Sequence, residues 1–140
     1  MSLGITCFLI DDDADDQDIF ILALADVDKS IRCEVASDAI DALNRLGARE
    51  VRPDYIFLDL NMPRMNGKQC LSQIRKIDFL RDVPVIIYST SSDQKEKKET
   101  AQMGAAHYIV KPNTVSALAE MLARFFSVSL PPNALYKRTQ

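Results

Sequence analysis

The sequence predicts an α/β fold built on one parallel five-stranded sheet. Three observations lead there. Short apolar runs and amphipathic segments alternate five times along the 140 residues, the pattern of strands joined by crossover helices. Most of these runs are apolar at consecutive positions, as in strands covered on both faces. Four of them end in reactive polar groups: residues 5–10 in Asp11-Asp12-Asp13, residues 55–58 in Asp59, residues 85–88 in Ser89-Thr90, and residues 108–110 in Lys111-Pro112. Ligands in open α/β sheets sit outside the carboxyl ends of the strands. If these strands are neighbours, carboxylates, a hydroxyl and one ammonium converge on one spot, which suits a divalent cation and a phosphoryl group.

Strand one is expected over residues 5–10. The helix after it carries Ile19, Leu22, Ala23 and Val27 as an apolar stripe at helical spacing. Its first turns hold Asp15, Asp16 and Asp18, at the positive end of the helix dipole. Strand two, residues 30–35, alternates, with Ile31, Cys33 and Val35 on one side and Arg32 and Glu34 on the other. Alternation marks a half-exposed strand at the sheet edge. Helix two begins after Ser37 as its cap, buries Ala39, Ala42, Leu43 and Leu46, and ends at Gly47.

Strand three is expected over residues 54–59, and helix three starts near Gly67 and buries Cys70, Leu71 and Ile74. Strand four covers residues 83–88. Helix four has Ser91 as its cap, with Gln94 three residues on, and stops at Gly104. Between Asp93 and Gln102 it has almost no large apolar side chain, so the core holds it weakly. It is a plain surface helix or a movable element for switching or docking. Strand five covers residues 107–110, and helix five follows Thr114 with Leu118, Met121, Leu122 and Phe125. One domain is placed at residues 1–126. Residues 127–140, with Pro131, Pro132, Leu135 and Tyr136, form a tail without helical period, flexible or docked on the domain or a partner.

Hydrophobic residues make up 47% of the chain and charged ones 26%, with a formal net charge of −3. That is the balance of a soluble globule, and no basic stripe calls for direct nucleic-acid binding. The stretch from Lys95 to Glu99 mixes signs and reads as a solvated helix face. Cys7, Cys33 and Cys70 are scattered. They form no disulfide framework and no C-x-x-C pair, and they read as small buried hydrophobes in a reducing, cytoplasmic setting. No signal peptide and no run of membrane-spanning length is visible.

Carboxylates crowded at one strand end raise each other's pKa, and a bound divalent cation removes the conflict. Magnesium takes oxygen ligands and keeps several waters, while the lack of a histidine cluster and of cysteine pairs disfavours zinc. Asp11-Asp12-Asp13 could equally be a solvated turn that caps the next helix. Asp59 follows a buried run and precedes a loop preset by Pro63 and Asn66-Gly67. A rigid strand-end carboxylate beside a metal can act as a nucleophile toward phosphorus. Lys111 offers a point charge for a phosphoryl oxygen, Ser89 a hydroxyl, and Lys111-Pro112 is a candidate cis peptide that would aim the lysine.

These pieces resemble the receiver domain of two-component response regulators. The matching residues are Phe8-Leu9-Ile10-Asp11-Asp12, Asp59-Leu60-Asn61-Met62-Pro63 with Gly67, Pro84 to Thr90, and Tyr108-Ile109-Val110-Lys111-Pro112. They run from residue 5 to about residue 126, in the family's order. The resemblance implies the flavodoxin-like doubly wound sheet, strand order 2-1-3-4-5, with helices on both faces. It implies that Asp59 is the phosphoacceptor and that Mg2+ is bound by Asp12, Asp59 and the backbone carbonyl of Asn61, with Asp11 acting indirectly. Ser89 would be the switch hydroxyl, Lys111 the partner of a phosphoryl oxygen, and Tyr108 the aromatic that turns inward. Thr90 departs from the small residue usual after the switch hydroxyl and would restrict access to the phosphoryl group.

The implied partners are a sensor histidine kinase or phosphotransfer protein and an unknown downstream protein, reached by contact or phosphorelay. Self-association through helix four, strand five and helix five is a further expectation. Two other readings share the architecture. A small Mg-dependent phosphatase would use Asp11-x-Asp13 but leave Asp59 and Ser89 unexplained. A phosphorylation-independent pseudo-receiver would not need the complete acidic set.

Overall fold

Five strands, β1 (Thr6–Ile10), β2 (Arg32–Ala36), β3 (Tyr55–Leu58), β4 (Val85–Ser89) and β5 (His107–Val110), pair in parallel in the order β2-β1-β3-β4-β5. The computed structural model describes residues 4–129, the side chains of Val128 and Ser129 excepted. The helices between the strands are α1 (Ala14–Val27), α2 (Ala39–Gly47), α3 (Gly67–Ile74) and α4 (Gln94–Gln102), and α5 (Val115–Ser129) follows β5. The chain leaves β1 for the edge strand β2, then returns to β3 on the other side of β1. That reversal opens a crevice at the carboxyl ends of β1 and β3, where ligands bind in such sheets. Register aligns those ends: Ile10 pairs with Leu58, Leu58 with Ile87, and Ser89 with Val110.

Successive side chains on a strand point to opposite faces, and both faces are covered. On one face Leu9, Phe57, Tyr88 and Ile109 pack with Phe20 of α1 and with Leu118, Leu122 and Phe126 of α5. On the other, Phe8, Ile10, Ile56, Leu58 and Ile87 pack with Leu46 of α2 and with Cys70, Leu71 and Ile74 of α3. Two-sided burial is why β1, β3 and β4 read as unbroken apolar runs.

The buried stripe of α1 is Phe20, Ala23, Leu24 and Val27; it keeps Ala23 and Val27 of the expected stripe, Ile19 packs half-buried against it, and Phe20 and Leu24 take the place expected for Leu22. Leu22 is 59% exposed. Both stripes satisfy a helical period. The Phe20 ring decides between them by meeting Phe57 and Tyr88 edge-on at 4.8 and 5.3 Å, contacts that add to its area burial.

Two caps also shift. Asp38, not Ser37, caps α2 by accepting from the Asp41 N–H at 2.7 Å, while Ser37 Oγ accepts from Gln17 Nε2 at 3.0 Å. Asp93, not Ser91, caps α4 by accepting from the Lys95 N–H at 3.0 Å. In both places an aspartate one or two residues after the serine supplies the stronger, charged acceptor at the helix's positive end. Cys7 and Cys70 are buried as expected, whereas Cys33 on the edge strand is half-buried.

The only buried residue of α4 is Thr100. What ties the helix to its neighbour is Lys68 of α3, whose Nζ lies 2.8 Å from Glu96 and 2.6 Å from Glu99. α5 runs on through Ser129, past residue 126 where the sequence reading ends the domain. The rest of the expected tail, with Pro131, Pro132, Leu135 and Tyr136, lies outside the described residues.

Candidate functional site

Asp11 directly follows β1, and its N–H still donates to the Ala36 carbonyl at 3.1 Å, so β2 holds it in place. It is fully buried. Its Oδ1 accepts from the Asp13 N–H at 3.0 Å, and its carbonyl accepts from Gln17 Nε2 at 2.7 Å. Asp13 caps α1 by accepting from the Asp16 N–H at 3.0 Å. The acidic run therefore serves two purposes: its third member starts the helix, and its first two face the crevice.

Asp59 directly follows β3. Its N–H extends the ladder to the Ile10 carbonyl at 2.9 Å, which sets it beside Asp11. Its Oδ1 accepts from the Asn61 N–H at 3.3 Å. Beyond Asn61 the loop closes with Gly67 N–H donating to the Leu60 carbonyl at 2.9 Å. Asn66 then caps α3 in a reciprocal box with Gln69.

One carboxylate oxygen each from Asp11, Asp12 and Asp59 lies within 4.8 Å of the others. Oxygen donors at that spacing, two buried and one exposed, fit a hard divalent cation that keeps part of its water shell. Burial raises Asp59 to about 6, with Lys111 as the main opposing influence. Burial raises Asp11 as well, against the Lys111 ammonium beside it and the hydrogen bond from the Asp13 N–H. Both carboxylates are thus costly to hold charged until a cation shares the cup.

Lys111 is the cation already there. Its side chain is 7% exposed, and its Nζ lies 2.8 Å from Asp11, 2.8 Å from Asp16 and 3.6 Å from Asp59. Burial acts to lower its pKa, but the Asp11 and Asp16 carboxylates beside it outweigh that and the value rises, so the ammonium stays charged. The expected cis Lys111-Pro112 bond is absent: no peptide among the described residues is cis. The lysine is aimed by strand register instead, through its N–H donating to the Ser89 carbonyl at 2.7 Å.

Ser89 is fully buried at the end of β4, and its Oγ accepts from the Ser91 N–H at 3.2 Å. Tyr108 is half-buried, and its hydroxyl donates to the Ser91 carbonyl at 2.8 Å. Ser89 and Tyr108 therefore grip the two backbone ends of one residue, Ser91. Thr90 between them is exposed, as is Asn61. The structure gathers Asp11, Asp12, Asp59 and Lys111 into one cup and ties Ser89 and Tyr108 to the same residue, Ser91.

Sequence reasoning missed two participants. Asp16 reads as a dipole-complementing residue, and nothing in one dimension pairs it with a lysine 95 positions away. Ser91 reads as a cap. A groove of about 520 Å3 lined by Ile40, Met65, Lys68 and Met103, among others, contains none of the acidic residues, so concavity alone points elsewhere.

A five-stranded sheet in this order, with an acidic cup at its reversal point and a lysine just after the fifth strand, is the arrangement that the resemblance to receiver domains implies. The model of the response regulator receiver domain matches residues 7–123, and the chain belongs to that family. It is 36% identical over 131 residues to the transcriptional regulatory protein PrrA of Mycobacterium tuberculosis, covering 89% of this chain and 51% of PrrA. The chain thus spans about half the length of the curated relatives it matches. Among solved structures, the phosphorylated cyanobacterial phytochrome response regulator RcpA superposes with a TM-score of 0.81 at 27% identity, over 91% of this chain and 96% of that one. The receiver domain of the sensor histidine kinase PA1611 of Pseudomonas aeruginosa, with magnesium in its active-site cleft, shares the fold at a TM-score of 0.72 and 24% identity, over 89% of this chain and 98% of that one. No helix among the described residues is long and apolar enough to cross a membrane.

Proposed function

We propose that this receiver is switched by phosphorylation of Asp59. The donor is a phosphohistidine on a sensor histidine kinase or phosphotransfer protein. An Asp59 carboxylate oxygen forms the new bond to phosphorus as the bond to the imidazole nitrogen breaks, and the electron pair leaves with the imidazole. Asp12, Asp59 and the Asn61 carbonyl would hold Mg2+, with Asp11 acting indirectly. When bound, the ion offsets charge that builds on the phosphoryl oxygens. Lys111 offers a second positive charge from the opposite wall. The observation that carries this reading is the convergence of three carboxylates and one ammonium on a buried strand end. Magnesium in the cleft of the PA1611 receiver and phosphorylation of RcpA are consistent with it.

The output runs through Ser91. A phosphoryl group draws Ser89 Oγ toward itself, which releases the Ser91 N–H. Tyr108, bonded to the same residue, is then free to change rotamer, and α4 follows. The signal passes by protein contact at α4, β5 and α5, or by relay of the phosphoryl group to another protein. The three free thiols favour a reducing, cytoplasmic setting. A phosphatase acting through Asp11-x-Asp13 is disfavoured because Asp13 is committed to capping α1.

Intact mass after incubation with Mg2+ and acetyl phosphate tests the assignment. The wild type should gain one phosphoryl group and Asp59→Asn none. Full labelling of Asp59→Asn, or turnover of a phosphate monoester well beyond one equivalent, would overturn it.

A further inference from the structure

Lys111 lies closer to Asp16 than to Asp59, 2.8 Å against 3.6 Å. Asp16 is fixed by its own backbone, whose N–H is bonded to the α1 cap. An ammonium has three N–H donors. Asp16 accepts one of them at 2.8 Å, while Asp11 Oδ2, at the same distance, is an ion-pair contact without a hydrogen bond. If Asp16 were missing, the replacement acceptors would be Asp11 Oδ2 at 2.8 Å and Asp59 Oδ2 at 3.6 Å, and an ammonium bonded between them competes for the lone pairs a divalent cation uses.

We propose that Asp16 is a positioning residue: it holds the Lys111 ammonium back from Asp59 and so keeps the Asp59 carboxylate open to a divalent cation. The proposal rests on the reading of Asp11, Asp12 and Asp59 as a cation site. It assigns to α1 a share in the site beyond the acidic turn that precedes it. Asp18 lies on the same helix, is exposed and carries the same charge, so it separates a positional effect from a loss of local negative charge.

Calorimetric titration of the full chain with magnesium alone tests this. Asp16→Asn should weaken binding about three- to tenfold relative to Asp18→Asn, the range expected for directly interacting groups. Asp16→Glu should recover part of the loss. In a Lys111→Met background, Asp16→Asn should have no more effect than Asp18→Asn, because no ammonium remains to be held back. Thermal melts establish that each variant is folded, and Asp16→Ser stands in should the asparagine variant fail. Equal affinities for Asp16→Asn and Asp18→Asn, or an Asp16→Asn effect that persists undiminished without Lys111, would overturn the inference alone. Absence of magnesium binding by the wild type would remove the cation site as well.

Discussion

Gly67 at the start of α3 sits directly on the backbone of Asp59. A β-carbon there would collide with the Asp59 carbonyl oxygen and lie 2.6 Å from Leu60 Cα, and backbone atoms cannot yield as a flexible side chain would. Gly67→Ala is therefore expected to destabilise the fold by about 1–3 kcal/mol and to slow phosphoryl labelling, because the displaced segment carries the acceptor. Urea unfolding and a labelling time course check both. A stability unchanged from wild type would show that α3 can pivot away from the strand end.

Asp59 gives the protein a characteristic pH response. Its folded pKa of about 6 lies above the unfolded value of roughly 3.9. Between those values the native state holds a proton that the unfolded chain has lost, so this group's contribution to stability declines as pH rises through the window and then levels off. Asp59→Asn removes that penalty. Without Mg2+, the variant should be more stable than wild type at pH 7.5, by at most about 3 kcal/mol, and the gap should close as pH falls toward 4. Urea melts across the range decide it. A gap that widens on acidification would mean that Lys111 outweighs burial at Asp59.

Lys68 holds α4 where the core does not. With Thr100 as the helix's only buried residue, the paired contacts to Glu96 and Glu99 supply much of what fixes its position. The groups are part exposed, so Lys68→Ala should change global stability little. Amide hydrogen exchange within Gln94–Gln102 should nevertheless rise severalfold, while β4 keeps its protection. Uniform exchange in wild type and variant would assign the anchoring of α4 to Thr100 and the Tyr108 side instead.

What was legible in one dimension follows from what the chain cannot do otherwise. The unbroken apolar runs of β1, β3 and β4 could only be doubly covered strands, and the polar groups that end them had only one side of the sheet to reach. Asp59 and Lys111 were readable for that reason. The phase of α1 was not, because two overlapping stripes obey the same period and only the Phe20 ring, meeting side chains from β3 and β4, separates them. Ser37 and Ser91 lost the capping role to aspartates one and two residues further on, a local competition that composition does not resolve. Asp16 and the role of Ser91 as a shared anchor depend on contacts between distant segments. The trans geometry before Pro112 depends on the path of β5.

The contact between Asp16 and Lys111 spans 95 positions, from the first helix to the end of the last strand. A chain still emerging from the ribosome presents its clustered carboxylates long before the ammonium that balances them exists. An unfinished or clipped copy that ends before β5 therefore carries those carboxylates without their counter-charge.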